Sequence, residues 1–225
     1  DDIYKLEDKK ADKRLYFPNY DKQSENIMKN LNMGTNMFVT YDHNKVEPNY
    51  FVPSIAKALE RSNGKYTSKN TEIVEFNKNV DMDYFTDKVE QLAQNKDQNY
   101  ILVFSQSNLL KNSPTISLPD GTVYTAFTDA YLKALEKTPK NINIVAIETK
   151  DNYLNHMQNP QLFNIYSNMG EVSLPALNKD EVMKALLNNK NFLKDNNLRY
   201  SKKAIEKVVD VSAQIERSEE HTSEL

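Results

Sequence analysis

Four short apolar runs constrain this chain most: Asn36 to Tyr41 (NMFVTY), Thr71 to Phe76 (TEIVEF), Tyr100 to Phe104 (YILVF) and Ile142 to Ile147 (INIVAI). The runs at 100 and 142 are continuous rather than alternating, the pattern of strands covered on both faces. Stretches with helical periodicity lie between them. Ile27, Met28 and Leu31 share a face behind the possible cap Asp21, and Gly34 fits the turn that follows. Phe51, Val52, Ile55, Ala56 and Leu59 repeat the pattern, with Pro53 tolerated only in a first turn and Asn63-Gly64 as the stop. Met82 to Gln94 places Phe85, Val89, Leu92 and Ala93 together. Strand, loop and helix alternating in this way predict an α/β fold: a three-layer parallel sheet of about five strands wrapped by helices.

The segment between the runs at 100 and 142 is less regular. Pro114, Pro119 and Asp120-Gly121 make Asn108 to Gly121 an irregular loop or a hairpin. Thr122 to Lys137 is expected to be helical, through Phe127, Ala130, Tyr131, Ala134 and Leu135. After Ile147, two short helices (Asp151 to Met157, Pro160 to Tyr166) lead to a last short strand, Glu171 to Leu174. Beyond Pro175 only helices are expected, Lys179 to Leu187 and Ser201 to Ile215, the first with Asn178 as cap and Glu181 at the capping-box position. This change marks a domain boundary near Leu177. The expected organisation is a linker over 1–14, an α/β domain over 15–177, a partial helical lid over 178–216 and a tail over 217–225. The tail (RSEEHTSEL) resembles a translated sequencing adapter and is left out of the fold. The start at Asp1 without an initiator Met is read as a missing N-terminal portion, and the lid as truncated.

Composition removes several function classes. Lys plus Arg (29) nearly balance Asp plus Glu (32), with the signs interspersed, so no nucleic-acid or anionic-membrane footprint is expected. With no cysteine, disulfides, thiolate metal sites and cysteine nucleophiles are excluded. Three scattered histidines make no metal site, and neither Asp81 with Asp83 nor Asp120 with Asp129 offers a calcium loop. Ser105 with His43 or His156 lacks a nucleophile elbow, and His156 is expected on a helix surface. No run approaches the ~20 apolar residues of a membrane span. A cytoplasmic address is the expectation.

Several strings, in order, carry a family resemblance. Ile144 to Tyr153 (IVAIETKDNY) is similar to a sensor-1 strand of the form I-G-A-T-T-x-D-E-Y, Val172 to Glu181 (VSLPALNKDE) to the passage V-x-V-x-E-P-S-x-E-E into a lid, and Ser201 to Ile205 (SKKAI) to the start of a lid helix. Together they resemble the first ATPase module of Clp/Hsp100-type AAA+ unfoldases, over most of residues 12 to 216. The resemblance implies the sheet order 5-1-4-3-2 followed by a small helical lid, with the strand at Ile142 between the first and third. A flavodoxin-like order, 2-1-3-4-5, would instead indicate an unrelated doubly wound binding domain.

The family's chemistry does not carry over onto these residues. A P-loop needs G-x-x-x-x-G-K-[ST], whose bare amides cradle phosphates while Lys neutralises them. The corresponding loop, Tyr41 to Asn49 (YDHNKVEPN), has no glycine, brings Asp42 and Glu47 toward the phosphates and loses an amide at Pro48; only Lys45 could point inward. The Walker B carboxylates are replaced by Ser105 and Gln106, and neither group accepts a proton usefully at neutral pH. Thr149 matches the sensor-1 position. The arginine-finger positions fall near Asn164 and Ile165, and the pore loop is shortened around Val80 to Phe85, leaving Tyr84 and Phe85 as core or helix-face aromatics. The resemblance therefore implies a degenerate module in which Lys45, Ser105, Gln106 and Thr149 are vestigial nucleotide-site positions, with no catalytic residue, no cofactor and no metal. Its expected role is assembly or protein binding, with protein partners or AAA+ ring subunits in a homo- or hetero-oligomer. The alternative is the non-catalytic part of an ATP-dependent unfoldase whose active ring lies elsewhere in a longer protein.

Overall fold

The computed structural model describes residues 3–4, 15–42, 51–76, 82–105, 115–121, 123–125, 139–158 and 160–188. The elements, in chain order, are β1 (Ile3–Tyr4), a 3-10 turn (Pro18–Tyr20), α1 (Asp21–Asn32), β2 (Met37–Tyr41), α2 (Val52–Glu60), β3 (Thr71–Phe76), α3 (Met82–Gln94), β4 (Asn99–Ser105), β5 (Thr115–Ser117), β6 (Val123–Thr125), β7 (Ile142–Thr149), α4 (Lys150–Met157), α5 (Pro160–Tyr166), β8 (Gly170–Ser173) and α6 (Lys179–Asn188).

The main sheet runs β1-β3-β4-β7-β2-β8. From β3 to β8 every pairing is parallel. Counting only these five strands in chain order gives 5-1-4-3-2 from the β8 edge, the expected order, and β7 lies between β4 and β2. Within the 1–14 stretch read as linker, Ile3–Tyr4 pairs antiparallel with the outer edge of β3.

Strand alternation divides the core into two clusters. Met37, Val39, Ile73, Ile101, Val103, Val145, Ile147 and Val172 face a layer built from Leu15, Phe17, α1, α2 and α6. Phe38, Val74, Leu102, Phe104, Ile144 and Ala146 face α3, α4 and α5 through Phe85, Val89, Tyr153, Leu162 and Tyr166. Phe38 stacks edge-on between Tyr153 and Tyr166, with centroids at 5.2 and 4.6 Å, and each ring pair adds about 1 kcal/mol beyond its buried area. Two covered faces explain why β4 and β7 are apolar without alternation. Leu177, Ala185 and Leu186 belong to the first cluster, so α6 packs onto the same core as α1 and α2.

Local chemistry explains the helix ends, with two corrections. Gly34 adopts φ +83° and closes α1 in a Schellman motif, its N–H donating to Leu31 O at 2.9 Å and that of Thr35 to Asn30 O at 3.0 Å. Pro53 sits in the first turn of α2, where its missing N–H costs nothing. Asp21 is not the cap of α1: Tyr20 occupies that position after the 3-10 turn, and the Asp21 carboxylate accepts from the Tyr16 hydroxyl. Asn178 does cap α6, accepting from the Glu181 N–H at 2.9 Å. The Glu181 carboxylate, however, accepts from the Asn19 side-chain amide, a long-range contact that local spacing could not reveal.

The expected helix over Thr122 to Lys137 is overturned at its start. Val123–Thr125 pairs antiparallel with Thr115–Ser117, forming a hairpin apart from the main sheet. Its turn carries Pro119 and Asp120, with Gly121 at φ +85° donating its N–H to Leu118 O at 3.0 Å. A left-handed glycine followed by Val-Tyr-Thr favours a returning strand over a helix. Residues 126–138, the remainder of that expected helix, lie outside the described residues, as do the second lid helix (Ser201 to Ile215) and the 217–225 tail.

Candidate functional site

In a parallel α/β sheet, ligands meet the carboxyl ends of the strands. Here three neighbouring ends converge, those of β4, β7 and β2. Ser105 pairs with Ile147, and Tyr41 pairs with Thr149. By alternation Ser105, Thr149 and Tyr41 fall on the α2 side of the sheet, the side of Val103, Ile147 and Val39. The fold thus gathers two of the four sequence-expected positions, Ser105 and Thr149, at one sheet end. Lys45 and Gln106 lie outside the described residues, together with His43.

The groups gathered there have local roles. The Thr149 side-chain oxygen caps α4, accepting from the Asn152 N–H at 3.2 Å. β7 also runs further than the apolar pattern indicates: Glu148 and Thr149 are its last two residues rather than the loop beyond it. Glu148 is only 2% exposed. Its Oε1 accepts from the Thr149 N–H at 2.8 Å and from Asn152 Nδ2 at 3.1 Å, so this acid is held at the first turn of α4. A carboxylate in that place satisfies free amides and complements the helix dipole. Ser105, the last residue of β4, is half-buried.

A second polar group, on the α4 and α5 side, was not singled out from sequence. Thr40 is fully buried, and its Oγ1 reaches Glu171 Oε1 at 2.8 Å and Ser173 Oγ at 2.9 Å. Lys150 Nζ donates to the same Glu171 oxygen. Burial alone would push the Glu171 pKa up, but the bonds from Lys150, Thr40 and Ser173 and the Lys150 charge outweigh it and leave it below its ordinary 4.5. The sequence signal was present in outline: Glu171 and Ser173 alternate with buried Val172 and Leu174, so they share a face. Their pairing with Thr40 follows only from the register of β2 against β8.

The remaining sequence-named residues are engaged otherwise. Phe85 is core, stacked on Phe76 and Phe104 at 5.1 and 5.3 Å, while Tyr84 is exposed on α3. Asn164 is exposed on α5. His156 is half-buried rather than on the helix surface, because α5 covers it and brings the Tyr166 ring to 6.0 Å. Burial lowers its pKa below 6.5, with the Glu148 charge opposing in part. Among the described residues no cluster of histidine and acid side chains could hold a metal, and no helix is long and apolar enough to cross a membrane.

A cavity of about 550 Å³ lies away from the strand ends, between the Tyr16 to Asn19 segment, the last turn of α2 at Lys57, and α6 at Glu181 and Lys184. Much of its polar lining is already engaged within itself. Lys57 Nζ stands 4.0 Å over the Tyr16 ring, and Asn19 bonds Glu181. The Tyr16 phenol, held above its ordinary pKa by burial and by its bond to Asp21, is a poor base source at neutral pH. Among its described lining residues the cavity offers no nucleophile paired with a base.

No protein-family model and no curated protein matches the chain. Solved structures do resemble it. A closed-state reconstruction of Hsp104 with ATPyS and FITC casein superposes with a TM-score of 0.60 at 7% identity, over 86% of this chain and 33% of that one. The extended S. cerevisiae Hsp104:casein complex gives 0.59 at 6% identity, over 86% and 33%. The Aeropyrum pernix ORC2 protein gives 0.51 at 11% identity, over 81% and 55%. The chain therefore has an AAA+-like α/β fold, and it spans about a third of the Hsp104 chains it resembles.

Proposed function

We propose that this chain is a pseudo-ATPase module that keeps an AAA+ architecture without its hydrolytic chemistry, and acts in assembly or protein binding. The observation that supports this most is the state of the strand ends. The Thr149 hydroxyl caps a helix, the Glu148 carboxylate is buried against the same helix turn, and Ser105 stands where a metal-binding carboxylate is needed. Neither a general base nor a metal-binding acid remains available among these groups. The sequence of the loop after β2, without glycine and with two acids, points the same way. Isothermal titration of the protein with ATP and Mg²⁺, alongside a phosphate-release assay, tests the reading. No heat beyond dilution and no turnover are expected; micromolar binding or measurable hydrolysis would sink it.

The organisation that goes with this function is an α/β domain over 15–177 and a lid beginning at 178, in a cytoplasmic protein whose partners are proteins or ring subunits. Native mass spectrometry of the purified chain reads the assembly directly. Coverage of only 33% of the Hsp104 chains favours one second reading: this module assembles a longer protein whose active ATPase ring lies elsewhere. A downstream Gly-x-x-x-x-Gly-Lys-Thr with an Asp-Glu strand end in the intact gene would support it, and a stop shortly after the lid would remove it.

A further inference from the structure

We infer that Asn63-Gly64 is a site of spontaneous covalent modification, at which the Asn63 side-chain amide is lost and the chain is relinked through an aspartyl or isoaspartyl residue. Of the four glycines, Gly64 alone follows an asparagine; Gly34 and Gly170 follow methionines and Gly121 follows Asp120. In the reaction the Gly64 backbone nitrogen attacks Asn63 Cγ. A new N–C bond closes a five-membered imide, the bond from Cγ to the side-chain nitrogen breaks, and ammonia leaves carrying the Gly64 amide proton. Water then opens the imide. Addition at Cγ restores the ordinary backbone with an aspartate, while addition at the main-chain carbonyl leaves the chain running through Cγ as isoaspartate. The net change is asparagine plus water to acid plus ammonia, with no oxidant or reductant, and it belongs to the chemistry that makes asparagine thermolabile.

The local structure supplies what that attack requires. Asn63 and Gly64 are both exposed and lie outside helix and strand, just beyond the Arg61 cap of α2. Gly64 has no side chain to shield its nitrogen, and that nitrogen donates to no backbone acceptor among the described residues. The Asp120-Gly121 pair is the internal contrast. It could form the same imide, but its glycine nitrogen is engaged with Leu118 O at 3.0 Å and its leaving group would be hydroxide or water rather than ammonia.

The position also gives the modification a structural consequence. Asn32 clasps the loop from both sides, its Nδ2 donating to Ser62 Oγ at 2.9 Å and its Oδ1 accepting from the Tyr66 N–H at 2.9 Å. The loop lies so close that a Cβ at Gly64 would stand 2.6 Å from Asn32 Cγ. An isoaspartyl link inserts a methylene into the main chain between these two anchors, and the clasp can no longer hold both. Tyr66, whose hydroxyl donates to buried Asn143, would transmit the loosening to the start of β7.

The folded protein, aged in mildly alkaline buffer at physiological temperature and sampled by peptide mapping, provides the test. Expected is a species heavier by the difference between O and NH, located at residue 63, methylated by an isoaspartyl methyltransferase, and absent from Asn63→Gln. Retention of the Asn63 amide in the folded chain, over the time in which the urea-unfolded chain converts, would overturn the inference and show that the Asn32 clasp protects the loop instead. Separation of converted from unconverted protein tests the consequence. The isoaspartyl form should unfold at lower urea than Asn63→Asp, which adds the charge without the methylene; equal midpoints would remove the role assigned to the clasp.

Discussion

The two ends of the parallel sheet are both polar, and they are built from different chemistry. At the end where the strands begin, the groups are uncharged: carboxamides, a phenol and the Thr71 hydroxyl, which donates to Asn70 Oδ1 at 2.6 Å. Asn141 Nδ2 donates to Leu92 O, Asn95 O and Gln98 O at 3.1 to 3.2 Å, binding the start of β7 to the α3–β4 connection. Asn36 Oδ1 accepts from Asn143 Nδ2 at 2.8 Å and from the Ile144 N–H at 2.9 Å, while Asn143 Oδ1 accepts from Tyr66. At the end where the strands finish, the groups are Glu148, Glu171, Lys150 and hydroxyls. An amide both donates and accepts and never titrates, so it can satisfy buried backbone groups at any pH. A carboxylate needs donors around it, and those donors make its bonding depend on pH. At the finishing end Glu148 is bonded to the first turn of the adjoining helix α4, and Glu171 ties the edge strand β8 to Thr40 and Lys150.

The change with the largest expected effect strikes the uncharged end. Asn141→Ala takes a side-chain donor from three backbone carbonyls in a site 8% exposed, two of which, Leu92 O and Asn95 O, keep a backbone N–H partner, and is expected to cost about 2 kcal/mol. A urea titration should show the midpoint falling at every pH, since nothing lost there ionises. A midpoint that fell only in acid would break the contrast between the ends.

At the other end the effects are smaller. Thr149→Ala removes the cap of α4, worth about 1 kcal/mol, and should leave the response to ATP unchanged. A calorimetric ATP signal in the parent protein that vanished in this variant would return Thr149 to a nucleotide site.

Lys150→Met takes away one of the Glu171 partners. The pair is partly exposed, at 44% and 26% for the two side chains, so the loss should stay below about 1 kcal/mol. Because the folded-state pKa of Glu171 is depressed from 4.5, the carboxylate contributes stability above that value, and the contribution disappears as the pH falls through the folded-state pKa. The wild type and Lys150→Met should therefore converge in acid. A constant gap would mean that the pair acts through packing of the lysine stem.

His156 gives the smallest effect, in a separate window. Its folded-state pKa lies below 6.5, so the unfolded chain binds the extra proton first and stability declines as the pH drops from 6.5 toward the folded-state value. His156→Gln should flatten the stability profile in that interval, as read by urea midpoints at closely spaced pH. An unaltered slope would assign the interval to other groups.

Much of the architecture was legible in residue pattern because burial on two faces leaves a signature. The continuous run at Ile142 and the periodic Phe85, Val89 and Leu92 each permit few alternatives. Boundaries were less legible where polar residues continue a strand: Glu148 reads as loop by polarity, yet it pairs with Thr40 inside β7. Val123 to Thr125 followed the same logic in reverse, since a helix-like apolar spacing downstream concealed the returning strand of a hairpin that turns at Gly121. The residue pattern picked out Ser105 and Thr149 at strand ends, but the use made of Thr149, as a helix cap, was not legible.

By itself the sequence determined the fold class, the burial of the strands at 100 and 142 on both faces, and the absence of glycines in the loop after β2. These follow from side-chain period and from residue identity, which are local. Only the tertiary structure decided which polar residues meet. Thr40 with Glu171, Asn19 with Glu181 and Tyr66 with Asn143 are separated by 131, 162 and 77 residues. Their contacts depend on strand order and register, quantities set by the packing of the whole core.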